Sequence, residues 1–281
     1  MVTVTSIAEL QERIRDWRRA GDSIGLVPTM GALHDGHFAL MRHCRADATR
    51  TCATIFVNPT QFGPNEDLAS YPRTVSADED NLRAVGVDLL FMPSVTEMYP
   101  PGHSTRVRVG PLGETLDGTF RPGHFEGIAT VVTKLLLQAL PDVAVFGEKD
   151  YQQLQVIKRM VRDIDIPVRI EGVPTVREPD GVALSSRNAY LTPAERAVAP
   201  ALYRSIRSVA QAVAEGGNPD REAARGVEAL ERAGFGRVDY LTLRDAETLQ
   251  PVADASRPTR VLAAAWLGRA RLIDNVPVAP L

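Results

Sequence analysis

His34 and His37 stand three residues apart in the run Pro28-Thr29-Met30-Gly31-Ala32-Leu33-His34-Asp35-Gly36-His37. The run leaves an apolar, strand-like stretch and enters a helix-like one. Gly31 and Gly36 let the backbone approach a ligand closely. A helix start offers unpaired N–H groups and the positive end of a dipole, which together favour phosphate. Imidazoles placed there would steady charge as an α-phosphate is attacked. On its own, an H-x-x-H pair reads as a surface feature or a cap, and a metal pair would need a third ligand that no neighbour supplies. The strand–glycine–histidine–helix context favours a nucleotide instead.

Four further polar runs carry chemistry. Asn58 and Gln61, within Phe56–Phe62, offer amides suited to a small polar substrate. Lys149, in the run GEKDYQQ from Gly147 to Gln153, is a natural partner for phosphate, with Gln153 one helical turn beyond. Leu184-Ser185-Ser186-Arg187-Asn188 sets two hydroxyls beside a guanidinium fork, a suitable pair for β- and γ-phosphates. Arg121–Gly127 (RPGHFEG) mixes turn residues with a cation and a histidine, and alone reads only as the start of a helix.

The elements that must position these residues are legible from periodicity. Helices are expected over Ser6–Ala20, His37–Ala48, Ser76–Val85, Glu126–Leu140 and from about Tyr151, with capping boxes at Ser6/Glu9 and Ser76/Glu79. Strands are expected at Ser23–Val27, Ala53–Val57, Val87–Met92 and Val143–Phe146. Apolar strands separated by helices imply a parallel sheet covered on both faces, with ligands at its carboxyl edge. Three of the polar runs lie at such strand ends. After Arg187 the pattern changes: helix starts at Thr192-Pro193 and Asn218-Pro219 precede strand-like runs at Val238–Leu243, Arg260–Trp266 and Arg271–Ile273. Two helices followed by three strands point to a small α+β domain with a mostly antiparallel sheet.

Composition narrows the function classes. The chain has 281 residues, 44% hydrophobic and 24% charged, enough for a sizeable core with a polar surface. A net charge of −3 gives no support for nucleic acid as a partner. Cys44 and Cys52 form no C-x-x-C pair and read as buried thiols of a reducing compartment. The first residues lack a signal-peptide pattern, and no apolar run reaches the ~20 residues that span a bilayer. A cytoplasmic protein without membrane contact is expected.

The H-x-G-H run resembles the signature of the nucleotidyltransferase superfamily, which includes class I aminoacyl-tRNA synthetases. Taken together and in order, PTMGALHDGH, FVNPTQF, RPGHFEGIATVVTKLL, FGEKDYQQ and LSSRN resemble the pantothenate synthetase (pantoate–β-alanine ligase) family over about Ile24–Leu191. The resemblance implies an α/β, Rossmann-like, doubly wound catalytic domain over residues 1–187 and a smaller α+β C-terminal lid domain over 188–281. It implies attack of pantoate on ATP to give pantoyl adenylate and pyrophosphate, then attack of β-alanine to give pantothenate and AMP, with Mg²⁺ accompanying ATP. His37, His34 and Lys149 become the catalytic residues. Met30, Gly31, Ala32, Leu33, His34, Asp35, Gly36, His37, Gly147, Glu148, Lys149, Asp150, Val176, Leu184, Ser185, Ser186 and Arg187 become the ATP site. Gln61 and Gln153 hold pantoate, and Gln61 borders β-alanine. A homodimer is implied as well. Some relatives carry a run of carboxylates after YPRT, whereas here Ala77 precedes Asp78. Asp78 could assist magnesium through water, and no metal ligand is assigned. Two other readings stand beside this one: a nucleotidyltransferase that makes a dinucleotide, and a nucleotide-binding regulatory module without catalysis.

Overall fold

The computed structural model describes residues 1–64 and 66–278. The chain divides into two compact units, Met1–Glu148 with Val156–Pro174, and Lys149–Gln155 with Thr175–Leu281. This division falls at Pro174, ahead of the domain limit expected at Arg187, and assigns the Lys149–Gln155 stretch to the second unit.

In chain order, β1 (Val2–Val4), α1 (Ile7–Arg19), β2 (Ile24–Thr29), α2 (Asp35–Asp47), β3 (Arg50–Ile55), α3 (Val75–Val85), β4 (Leu89–Phe91), α4 (Val95–Met98), α5 (Asp117–Phe120), α6 (His124–Ala139), β5 (Val143–Gly147), α7 (Tyr151–Asp163) and β6 (Arg169–Val173) form the larger part. The strands make one parallel sheet in the order β1-β4-β3-β2-β5-β6. From β2 the chain steps outward to β3 and β4, then crosses back to β5 on the other side. The carboxyl ends of β2 and β5 therefore flank the switch point where α/β sheets bind ligands. Val27, Met41, Cys44, Ala53, Leu82 and Leu90 fill the core that α2 and α3 build on one face of the sheet. Gly25 brings α2 close: a Cβ there would lie 2.2 Å from Cys44 Sγ. Both cysteines are free and buried, as their sequence context suggests.

Several local expectations shift. The Ser6/Glu9 capping box is present. The Ser76/Glu79 box is not: the helix begins at Val75 after Thr74, and Glu79 instead accepts from Thr3 Oγ1 and pairs with Arg83. The second apolar strand covers Arg50–Ile55 rather than Ala53–Val57. Strands β1 and β6 have no counterpart in the periodicity. They are the sheet edges, and β1 has only three residues, too few for a periodic signal.

The second unit continues with α8 (Pro193–Val198), α9 (Pro200–Ala214), α10 (Pro219–Ala233), β7 (Arg237–Asp245), β8 (Thr259–Leu267) and β9 (Ala270–Val278). Its sheet is antiparallel in the order β7-β8-β9. Leu202, Ile206, Val209 and Leu230 of the helices pack with Leu241, Val261, Ala263 and Val276 of the sheet. Three helices precede the sheet rather than two, because Pro200 starts α9 directly after α8.

Candidate active site

At the end of β2 the chain turns through two residues of positive φ, Gly31 at 82° and Ala32 at 51°. Helix α2 then begins at Asp35, earlier than its apolar pattern suggests, because His34 is its N-cap. Nδ1 of His34 accepts from the Gly36 N–H at 3.2 Å, and Nδ1 of His37 accepts from the His34 N–H at 3.3 Å. The two imidazoles thus make the reciprocal bonds of a capping box, where serine and glutamate are usual. Their rings lie 4.1 Å apart between centroids. Because each Nδ1 accepts a backbone hydrogen, the proton of each neutral ring resides on Nε2. The pair is arranged to donate from Nε2.

The turn itself is anchored from α3. Asp78, 2% exposed, accepts from the N–H of Ala32 through Oδ2 and that of Leu33 through Oδ1, both at 2.9 Å. Thr74 Oγ1 donates to Oδ2 at 3.2 Å.

The Asn58–Gln61 segment forms a short 3-10 turn after β3. The sequence suggests that Asn58 faces a substrate, but its amide is committed within the fold. Its Nδ2 donates to Gln61 Oε1 at 3.0 Å and Gly127 O at 3.2 Å, while Oδ1 accepts from Tyr99 Oη at 2.8 Å and Thr60 Oγ1 at 2.9 Å. Asn58 therefore orients Gln61. Gln61 Nε2 lies 3.2 Å from Met30 Sδ, which brings two of the expected site residues together.

The Arg121–Gly127 motif turns out to support this same turn. His124 Nδ1 meets Gln61 O at 2.8 Å, and its Nε2 meets an Arg121 guanidinium nitrogen at 2.7 Å. Since arginine only donates, Nε2 is the acceptor and Nδ1 carries the hydrogen. Burial, with the Arg121 charge adding to it, pushes His124 down to about 4, so the ring is neutral near pH 7. Arg121 is held in turn by Glu66 through Nε and a second nitrogen at 2.7 and 2.5 Å. Burial raises the Glu66 carboxyl, and the hydrogen bond and charge of Arg121 outweigh it, leaving the group below its ordinary value. Gly127 completes the support: a Cβ there would lie 2.3 Å from Thr60 O. Helix α6 thus presses its backbone directly against the turn.

Gly147 ends β5, and Glu148 to Asp150 form a 3-10 turn. Within the second unit, the Lys149 carbonyl accepts from Asn275 Nδ2 at 3.0 Å, and Lys149 Nζ lies 3.5 Å from Asp150 Oδ1. Asn275 Oδ1 is gripped by Arg260, whose guanidinium stacks 3.8 Å above the Tyr151 ring. Gln153 is partly buried on α7. Val176 and Leu184 are brought together by a Leu184 N–H to Val176 O bond of 3.0 Å. Ser185 caps the short turn Ser186–Tyr190 by accepting from the Arg187 N–H at 3.3 Å. Arg177 supports this hairpin through a bidentate pair with Asp274 at 2.6 and 2.8 Å. Sequence reasoning missed Arg177, Arg260, Asp274 and Asn275, whose partners lie far away along the chain.

A central parallel sheet with polar motifs at the carboxyl ends of β2, β3 and β5 defines the doubly wound α/β class. Comparison with known proteins then fixes the family. Residues 2–277 match the family described as pantoate-beta-alanine ligase. The pantothenate synthetase of Paramagnetospirillum magneticum is 55% identical, with 99% of this chain and 98% of that protein covered. That of Caulobacter vibrioides is 53% identical, at 99% and 98% coverage. The crystal structure of pantothenate synthetase from Thermus thermophilus superposes with a TM-score of 0.95 at 48% identity, covering both chains fully. The Francisella tularensis pantoate-beta-alanine ligase, crystallised with beta-gamma ATP and beta-alanine, gives a TM-score of 0.82 at 35% identity, covering 98% and 97% of the two chains. The chain belongs to the pantoate–β-alanine ligase family and is an enzyme of the ligase class.

Proposed function

We propose that this ligase condenses pantoate with β-alanine at the expense of ATP, by way of a pantoyl adenylate. The observation that carries the reading is the histidine pair at the start of α2, with each Nδ1 accepting from a backbone N–H and the hydrogen of each neutral ring therefore on Nε2. A carboxylate is a poor electrophile, and adenylation gives it a good leaving group. The enzyme's task is to align two anions and offset their repulsion, so positioning and electrostatics dominate. In the first step a pantoate carboxylate oxygen attacks the α-phosphorus, the bond to the bridging oxygen breaks and pyrophosphate leaves. His34 and His37 donate to α-phosphate oxygens, while Lys149, Ser185, Ser186 and Arg187 meet the departing phosphates. Met30–His37, Gly147–Asp150, Val176 and Leu184 line the nucleotide. Gln61 and Gln153 hold pantoate, and Gln61 borders the amine.

In the second step the β-alanine amine attacks the acyl carbon and AMP leaves. The amine must lose a proton. His124 bonds to the Gln61 carbonyl, but its two nitrogens are both taken, by Gln61 O and by Arg121. It is a support rather than the base. The AMP phosphate or solvent takes the proton.

Mg²⁺ enters with the triphosphate. Among the described residues no group of three or more His, Cys, Asp and Glu side chains could hold a metal ion. The ion's oxygens would come from phosphate and water. A homodimer working in the cytoplasm is carried over from the family likeness, and sedimentation velocity tests the assembly. Among the described residues no helix is long and apolar enough to cross a membrane.

The deciding measurement is exchange of labelled pyrophosphate into ATP without β-alanine. Exchange that depends on pantoate is the expected result. Folded enzyme that makes pantothenate without such exchange would sink the adenylate.

A further inference from the structure

Ala32 adopts φ +51° although it carries a Cβ, and Gly31 before it adopts +82°. Left-handed backbone at a residue other than glycine persists only where its surroundings enforce it. The enforcing group here is the Asp78 carboxylate. Its two oxygens take the consecutive N–H groups of Ala32 and Leu33, with Thr74 Oγ1 as a third donor. Consecutive N–H groups in a turn form an anion-binding concavity. In this chain a buried internal anion already fills it. Gly31 admits that anion: a Cβ on Gly31 would lie 3.2 Å from Asp78 Oδ2.

We propose that Asp78 is the positioning residue of the nucleotide loop. It locks the turn between β2 and α2 so that the Nε2 atoms of His34 and His37 are presented in fixed register, and it does not serve as a carboxylate for magnesium. Hydrogen bonds to a charged acceptor are stronger than neutral ones, so removing the charge loosens the turn while leaving its shape accessible. The functional half of this inference rests on the reading of Met30–His37 as a nucleotide seat. The structural half does not.

Two measurements test it separately. In the unmodified protein, backbone hydrogen exchange at Ala32 and Leu33 should be slowed by about 10–100-fold relative to an unstructured chain, the scale of a charge-assisted hydrogen bond. Unprotected amides there overturn the clamp, whatever the protein binds. In Asp78→Asn, affinity for a non-hydrolysable ATP analogue should fall by about tenfold or more. Pantoate affinity and the Mg²⁺ concentration for half-maximal rate should stay within about twofold of the unmodified protein. An altered magnesium midpoint with unchanged analogue affinity would assign the carboxylate to the metal and overturn the proposal. Thr74→Val removes one donor without touching the carboxylate, so it covers the case in which Asp78→Asn fails to fold. It should weaken analogue binding by about two- to fivefold, and an unchanged affinity counts against the clamp. If the unmodified protein itself fails to bind the analogue, the nucleotide reading falls and the exchange data alone decide the clamp.

Discussion

The first unit fixes its two candidate binding segments in opposite ways. At the start of α2, the side chains expected to do chemistry also hold the backbone: His34 and His37 are both cap and candidate donor. At the Asn58–Gln61 turn the labour is divided. Gln61 is the candidate contact, and Asn58, His124, Arg121 and Gly127 hold it without being asked to touch substrate. The first arrangement is compact but couples stability to the proposed chemistry within the same rings, Nδ1 serving the cap and Nε2 the candidate donor. The second separates them, so its supports can be altered one at a time.

That contrast can be broken most directly at His37. Glutamine at the third position of a helix can reach back to the cap N–H, so His37→Gln should keep the melting temperature within a few degrees while turnover falls about 10²–10³-fold. Near-normal turnover would remove His37 from the chemistry and leave it a cap alone. The turn offers a pH test. His124 is held near 4 against an ordinary 6.5. Between those values the unfolded chain binds the proton that the folded chain refuses. The stability His124 contributes is therefore complete above about pH 6.5 and is lost as pH falls toward 4, by at most about 3 kcal/mol. Denaturant titrations across that window should show the loss, and His124→Asn should flatten it. A wild-type curve already flat there would mean that the ring is not held neutral.

Smaller again is Gly127→Ala. Its methyl would meet Thr60 O at 2.3 Å and Gln61 N at 2.8 Å, backbone on which relief is limited. A loss of about 1–3 kcal/mol is expected, with the KM for pantoate raised more than that for ATP. Equal effects on both would argue that the turn and the nucleotide loop respond as one body. The mildest test compares His34→Asn with His34→Ala. Asparagine is a good N-cap and alanine is not, so the alanine variant should be less stable by about 1 kcal/mol. Both should lose similar activity if the ring matters beyond its capping bond.

The same contrast explains what was legible in sequence. The α1 cap was readable because Ser6 and Glu9 are local partners of each other. The Ser76/Glu79 spacing is identical, yet Glu79 is claimed by Thr3, far away along the chain. Asn58 resembles a substrate ligand because a buried positioning amide and an exposed binding amide are the same residue type. Asp78 is invisible as a clamp because its partners are backbone N–H groups, which leave no trace in residue identity. RPGHFEG reads as a helix start, and His124 does begin α6. What the local pattern lacks is the turn it presses against. The fold class and the motif positions at strand ends were readable because apolar runs and their spacing are properties of the chain alone.

Gly25 leaves room for Cys44 Sγ against β2, on the helix that His34 caps and whose first turn carries His37. That thiol is fully shielded, and burial raises it to about 11. It can be alkylated only when α2 lifts from the sheet. In a Cys52→Ala chain, the rate at which a maleimide finds Cys44 becomes a clock for the separation of that helix from its strand. The helix proposed to seat the nucleotide thus carries its own reporter, one that needs no engineered label near the histidines.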